Sequence, residues 1–324
     1  MNTILGTMNI EYPYSSKQNS VKEYSDIINK YISSVKNPIL DTAYYYGNTK
    51  TEQILGDILN NIDKKPIIAT KANPWYDNDF TNGFLGQLSK YNLERQINTS
   101  LVNLKVDYID IYYLHCYDYE TPLIETLEKC DELWRKEKFN KFGISNFSKD
   151  QLQNVLKLCD NNLLNEPTYY QGMYNLISRK VEEIFPLLND YNIEFWGYNP
   201  LAGGLLTGKY QNNNLDNDSR FKNNKIYQNI FWKEEILENI NNFYKSELNK
   251  SKAIEYSYIW LNKYSKMRIN DKIIIGVSDI KQLENNLSIF NKNIDYDNDY
   301  DNDIINDLNN LYNGIKDISP NYYY

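Results

Sequence analysis

The chain has 324 residues, 41% of them hydrophobic and 24% charged, with a formal net charge of −8. That length fits one large α/β barrel or two mid-sized domains, and the acidic balance argues against nucleic acid as a partner, since phosphates need clustered positive surface. No apolar stretch approaches the ~20 residues that cross a bilayer, and Met1-Asn-Thr-Ile-Leu-Gly-Thr7 has neither the basic nor the apolar region of a secretion signal, so the expectation is a cytoplasmic protein with no membrane association.

In chain order, short β-rich apolar runs alternate with amphipathic stretches. The pattern predicts strands over 4–8, 39–41, 67–71, 109–115, 141–144, 169–171, 195–198 and 272–275. Helical periodicity falls over 21–35, 93–104, 123–136, 151–159, 181–188 and 253–264. Eight strands with intervening helices point to a single α/β domain over 1–324, a (β/α)8 TIM barrel, with a doubly wound sheet as the competing topology. Two connections are long for a compact domain, 74–91 after the third strand and 199–232 after the seventh. Both leave a strand's C-terminal end, so they read as long loops at the mouth where a barrel builds its site. The Asn/Asp-rich piece 291–303 reads as a solvated surface connection. A mean hydropathy of −0.67 reflects the Asn, Lys and Asp crowded around ordinary apolar segments.

Cys116, Cys130 and Cys159 are odd in number and widely spaced, which suits neither a disulfide framework nor a CxxC metal site. They are expected to stay reduced. One histidine and no clustered acidic motif leave a metal-dependent hydrolase without ligands, so no metal is expected. That histidine, His115, closes the run Tyr108-Ile-Asp-Ile-Tyr-Tyr-Leu-His115. A lone histidine is commonly a structural hydrogen-bonder, but this one has company. Asp41 closes the second predicted strand and Lys71 the third, while Tyr44, Tyr45 and Tyr46 follow Asp41. In a barrel these ends converge on one mouth. A tyrosine, with a pKa of about 10, becomes a usable acid only where a cation stabilises its phenolate. Lys71 supplies that charge, Asp41 orients Lys71, and His115 can meet a substrate oxygen that turns negative. Such a set suits proton donation to a carbonyl oxygen while hydride reaches the carbon.

At these residues the chain resembles the aldo-keto reductases. Asp41-Thr-Ala-Tyr-Tyr-Tyr46-Gly47 is similar to the family's Asp-Thr-Ala signature, in which the catalytic tyrosine follows the aspartate by five positions. Ala69-Thr-Lys71, Tyr113-Leu-His115 and Gly143-Ile-Ser-Asn146-Phe147 match the next blocks in order. The resemblance implies catalytic roles for Asp41, Tyr46, Lys71 and His115, and leaves Tyr44 and Tyr45 as aromatic lining of the mouth. No GxGxxG supports a Rossmann site. Gly203-Gly-Leu-Leu-Thr-Gly208-Lys209 does satisfy GxxxxGK, but Tyr210 stands where a nucleotide hydrolase needs Ser or Thr to ligate Mg2+.

The longer Tyr198-Asn-Pro-Leu-Ala-Gly-Gly-Leu-Leu-Thr-Gly208-Lys209 resembles a branch that includes aflatoxin aldehyde and succinic semialdehyde reductases. It implies a nicotinamide cofactor, NADPH, with NADH left open. In that branch Tyr198 stacks on the nicotinamide, and Asn199, Pro200, Leu201, Gly203, Gly204, Leu205, Gly208 and Lys209 wrap the pyrophosphate. Asp41, Ser145, Asn146 and Gln171 would stand at the nicotinamide end, and Ser278, Gln282, Asn285 and Asn286 at the adenosine end. Asp279 occupies a position where the branch commonly carries serine, and a carboxylate there repels a 2′-phosphate. The implied substrate contacts are Tyr45, Trp75, His115 and Arg220; the last faces an acidic group, since the chain closes in Tyr322-Tyr-Tyr324 without the terminal arginine that branch members can use. The implied reaction is NADP(H)-dependent reduction of aldehydes to alcohols, acidic semialdehydes and dialdehydes included. The alternative is a nicotinamide-binding regulatory or sensor subunit on the same barrel. The partner is a small-molecule carbonyl compound, and both a monomer and a homodimer stay open.

Overall fold

The computed structural model describes residues 2–11, 19–75, 86–210, 221, 224–291 and 302–323. Parallel strands close into a barrel in sequence order: β1 (Asn2–Gly6), β2 (Ile39–Asp41), β3 (Ile67–Ala72), β4 (Ile109–Leu114), β5 (Phe139–Ser145), β6 (Tyr169–Met173), β7 (Glu194–Tyr198) and β8 (Lys272–Ile275). Around them lie α1 (Val21–Ser34), α2 (Lys50–Asn60), α3 (Lys90–Leu104), α4 (Leu123–Arg135), α5 (Lys149–Asn162) and α6 (Phe185–Asp190). The last connections add α7 (Lys225–Phe231), α8 (Glu234–Phe243), α9 (Glu247–Ser251), α10 (Ala253–Ile259), α11 (Ile280–Asn291) and α12 (Asn302–Asn313). This is the (β/α)8 TIM barrel that the alternation predicts. Pairing of β8 with both β7 and β1 closes it and removes the doubly wound alternative.

The two-residue period of a strand positions the site. Inward-facing Ile4, Ile39, Ala69, Ile111, Tyr113, Trp196 and Ile274 pack into an apolar plug inside the barrel, apart from the larger core between strands and helices. Two residues further along the same registers come Asp41 after Ile39, Lys71 after Ala69, His115 after Tyr113, Gln171 after Tyr169 and Tyr198 after Trp196. The plug therefore carries a polar ring at the C-terminal ends of the strands. His115 lies just past β4, yet its N–H still donates to the Ala72 carbonyl, so it keeps the strand's direction.

Several boundaries differ from the sequence pattern. The first strand is Asn2–Gly6, with Thr7 still bonded through its N–H to the Asp41 carbonyl. The stretch 181–188 is a 3-10 segment, Lys180–Ile184, followed by α6, which has Pro186 in its first turn. The stretch 253–264 ends in a π turn, Trp260–Tyr264. Much of both mouth loops lies outside the described residues, as does 292–301. Cys116, Cys130 and Cys159 are free and buried, and no helix among the described residues is long and apolar enough to cross a membrane.

Helix α2 has no counterpart in the predicted elements. Thr49 precedes it at φ +72° and gives no side-chain cap, and Gly56 in its interior lowers its propensity. Packing makes it a helix: Leu55, Ile58 and Leu59 are buried, and α2 lies so close to α3 that a Cβ on Gly56 would sit 2.1 Å from the Asn103 carbonyl oxygen. In an open helix, glycine to alanine stabilises by up to about 1 kcal/mol. Gly56→Ala is expected to do the opposite and destabilise by about 1–3 kcal/mol, read from urea unfolding.

Candidate active site

Asp41 and Lys71 enter the ring from neighbouring strands. Their side chains are almost wholly inaccessible, 4% and 0% exposed, and Lys71 Nζ donates to both Asp41 carboxylate oxygens at 2.8 Å and to the Thr42 carbonyl at 2.7 Å. Those three bonds use the full donor capacity of an ammonium group. The Tyr46 hydroxyl lies 3.5 Å from the same nitrogen, too far for a strong hydrogen bond. Tyr46 therefore feels the charge more than a directed contact. Burial lowers the pKa of Lys71 below its usual 10.5, while Asp41, by charge and by hydrogen bond, and then Glu52 work against that shift.

The chain delivers Tyr46 through a turn that only a small residue allows. Tyr46 N–H bonds to the Ala43 carbonyl, and the next residue, Gly47, takes φ +57°, where a Cβ would lie 2.5 Å from Thr51 Oγ1. His115 meets the Tyr46 ring edge-on at 5.8 Å between centroids. Its Nδ1 is buried without a hydrogen-bond partner. Burial, and after it the charge of Lys71, holds the imidazole well below its ordinary pKa of 6.5, so His115 is neutral.

Trp75 packs edge-on against His115 at 5.0 Å and tilts toward Tyr45 at 5.3 Å, so these aromatic groups form one wall. Tyr44 turns away from this wall: it is buried, and Arg95 of α3 donates to its hydroxyl at 3.5 Å. Trp75 is held by Asn73 and Gln96, for which the sequence suggested no such role. Asn73 exchanges bonds with the Trp75 backbone in both directions, and Gln96 of α3 clamps both backbone groups of Asn73. A polar residue two before an apolar aromatic, Asn73-Pro-Trp75, is the only sequence signal for this brace.

Further around the ring, Gln171 Nε2 donates to Asp41 Oδ1 at 2.8 Å. Asn146, at φ +60°, donates to the His115 carbonyl at 2.9 Å and to Ser145 Oγ at 3.0 Å, and accepts from the Tyr198 hydroxyl at 2.9 Å. Asn146 thus ties His115 to Tyr198. The segment after β7 turns through Asn199, Ala202, Gly203, Gly204 and Gly208, all at positive φ. Gly203 N–H donates to Asn199 Oδ1 and Gly204 N–H to the Leu201 carbonyl, so these two amides hold the turn itself. Pro200 and Leu205 are buried, and Lys209 is exposed with its ammonium 4.8 Å from the Tyr210 ring centre.

At the rim near β8, Ser278, Gln282 and Asn285 are exposed, whereas Asn286 turns inward and is 4% exposed. Asp279 accepts from Gln282 N–H at 2.9 Å, and Gln282 Oε1 accepts from Ser278 N–H at 3.0 Å, which secures the start of α11. Arg220 lies outside the described residues; its neighbour Phe221 is fully buried against Tyr210, Tyr227, Phe231 and Trp232. Among the described residues no group of His, Cys, Asp and Glu side chains could hold a metal ion.

A strand-end tetrad of Asp, Tyr, Lys and His in a closed barrel invites comparison with known proteins, and residues 2–309 match the model of the Aldo/keto reductase family. The chain belongs to that family. Its relatives include aflatoxin B1 aldehyde reductase member 2 of Rattus norvegicus, 37% identical over 266 residues, which are 77% of this chain and 70% of that protein. Aflatoxin B1 aldehyde reductase member 4 of Homo sapiens is 36% identical over 273 residues, 77% of this chain and 78% of that protein. In fold, the chain is similar to aldo-keto reductase AKR11C1 from Bacillus halodurans in its holo form, with a TM-score of 0.64 at 21% identity, covering 99% of this chain and 93% of the other. Family membership makes the chain an oxidoreductase of carbonyl compounds.

Because His115 is the only histidine, one imidazole Cε1–H resonance reports on the site. It is expected to titrate with a midpoint well below 6.5, still showing the neutral form at pH 6. Below 6.5 the unfolded chain takes up a proton that the folded site refuses, so this histidine's contribution to stability is lost as pH falls from 6.5 toward the folded-state value.

Proposed function

We propose that the chain works as one barrel domain in the cytoplasm and reduces aldehydes with NADPH, Tyr46 giving the proton. The observation that carries this reading is the Tyr46 hydroxyl standing beside a Lys71 ammonium that is itself buried and held by Asp41. A bound nicotinamide would supply hydride to the carbonyl carbon. The protein's own residues handle the proton and the orientation. As negative charge builds on the carbonyl oxygen, Tyr46 releases its proton to it, and the phenolate left behind faces the Lys71 cation. Asp41 keeps that cation from drifting, and Gln171 keeps Asp41 from turning. Neutral His115 can donate a hydrogen bond to the same oxygen without competing as an acid. Trp75 and Tyr45 close the apolar side and exclude water.

The donor set present fits a nicotinamide dinucleotide. Amides at Asn146 and Gln171, with Ser145, match the donors and acceptors of a carboxamide, and Tyr198 adds an aromatic ring beside them. Exposed Lys209, beside the glycine turns, suits the pyrophosphate by its charge, and exposed Ser278, Gln282 and Asn285 suit the adenosine end. Acidic semialdehydes and dialdehydes are the substrates to test first, with the Arg220 guanidinium pairing to a carboxylate. The aldehyde class is supported by the relatives' names.

Tyr46→Phe removes the acidic proton and little else. It is expected to lower kcat for aldehyde reduction by about 100-fold or more while NADPH still quenches intrinsic fluorescence with near-unchanged Kd. Undiminished turnover would overturn the assignment of Tyr46. Asp279→Ser keeps a capping side chain and removes a negative charge, so NADPH binding should tighten by about two- to fivefold with NADH unchanged. Equal changes for both dinucleotides in the same quenching titration would separate Asp279 from the 2′-phosphate.

A further inference from the structure

Glu52, on α2, is fully buried and more so than any other carboxylate among the described residues. Its oxygens face neutral donors: Thr70 Oγ1 donates to Oε1 at 2.6 Å and Ser100 Oγ to Oε2 at 3.0 Å. The two hydroxyls reach one oxygen each, and both can donate to a carboxylate. Thr70 and Lys71 are consecutive in β3, so their side chains leave opposite faces of the strand. Outside the barrel the Thr70 hydroxyl holds Glu52; inside, the Lys71 ammonium holds Asp41. Lys71 therefore stands between two carboxylates, one in contact and one across the backbone of its own strand. The titratable groups that face Glu52 are Lys71 from β3 and Tyr112 from β4, whose buried hydroxyl has no partner; α3 contributes the neutral Ser100 and Asn103. Burial raises the Glu52 pKa, and the hydrogen bonds from Thr70 and Ser100, and last the charge of Lys71, work against the rise.

We propose that Glu52 is a positioning residue of the proton-transfer site, an ionised carboxylate behind β3 that keeps Lys71 protonated and thereby sets the alkaline limit of Tyr46 chemistry. The link to turnover rests on the reductase reading above; the electrostatic link to Lys71 stands without it. Loss of a negative charge lowers the pKa of every nearby group, so both Lys71 and Tyr46 shift in the same direction.

Glu52→Gln keeps the shape and an acceptor for Thr70 while removing the charge. In protein carrying 13C-labelled lysine, the Lys71 Cε signal, assigned by its loss in Lys71→Met, is expected to titrate about 0.5–1 pH unit lower in Glu52→Gln. The alkaline limb of kcat/KM for aldehyde reduction should move down by a similar amount. Glu52→Asp, which keeps the charge, should return both readouts toward the parent even where its melting temperature stays low. An unchanged Lys71 titration in folded Glu52→Gln overturns the proposal whatever the activity. A shifted titration in a protein that reduces no aldehyde upholds the electrostatic role and overturns the reductase reading instead. Where Glu52→Gln does not fold, linkage supplies the reciprocal measurement. The 13Cδ signal of Glu52, assigned with Glu52→Asp, must titrate higher in Lys71→Met than in the parent, and an equal midpoint overturns the proposal.

Discussion

A lysine ammonium buried at the centre of a barrel is the constraint on which the site depends. Taking a charge out of water costs several kcal/mol, and proteins tolerate it only where the charge is paired and its donors are filled. Lys71 meets both conditions with the two oxygens of Asp41 and the carbonyl of Thr42. The barrel makes this arrangement available because Asp41 and Lys71 come from adjacent parallel strands whose register sets Asp41 opposite Ala69, two residues before the lysine. A helix pair would have to bring the same groups together through side-chain packing alone. Here the hydrogen-bonded ladder fixes the backbone to which both are attached.

The other ring members follow from the same charge. A second cation beside Lys71 would be repelled, which together with burial keeps His115 neutral and reserves it for hydrogen bonding. Gln171 fills the remaining side of Asp41. Asn146 spends its amide on the His115 carbonyl, Ser145 and Tyr198, so the polar groups around the mouth form a connected set. Such sets rigidify a site when every member is satisfied. The exception is His115 Nδ1, a buried ring nitrogen without a partner, in an imidazole packed edge-on against Trp75 and Tyr46.

Asp41, Lys71 and His115 were legible in the sequence because strand ends are written locally, each as a short apolar run that stops on a polar residue, whereas Tyr46, in the turn after β2, was singled out from its two tyrosine neighbours only by the family resemblance. The eight strands were legible for the same reason, while closure, left open against a doubly wound sheet, is decided by the pairing of β8 with β7 and β1. What could not be read depends on contacts between distant segments. Helix α2 lacks a side-chain cap and carries an interior glycine, and only its approach to α3 explains that glycine. Gln96 and Glu52 act through partners 18 to 48 positions away, a relation that no period or spacing encodes. Tyr44 and Tyr45 are neighbours in sequence, yet Tyr45 packs on Trp75 while the Tyr44 hydroxyl accepts from Arg95 of α3. Asn286 shows the limit of helical counting: residues 282, 285 and 286 look equivalent by spacing, but Leu283, Asn286 and Leu287 set the buried stripe of α11.

An acidic chain would have to manage its own charge locally to take the proposed anionic cofactor, and Asp279 is the sharpest case. Read from sequence, it is a bare carboxylate at the end where a 2′-phosphate is expected. In the fold it caps α11, accepting from the Gln282 backbone, at a helix N-terminus whose partial positive charge favours an anion. Part of its field is therefore compensated by the helix it starts. The same helix end would otherwise attract a phosphate, and Asp279 occupies a donor that could have met one. On the proposed reading, discrimination between phosphorylated and unphosphorylated dinucleotides would be tied to how α11 begins, through one residue that serves the fold first.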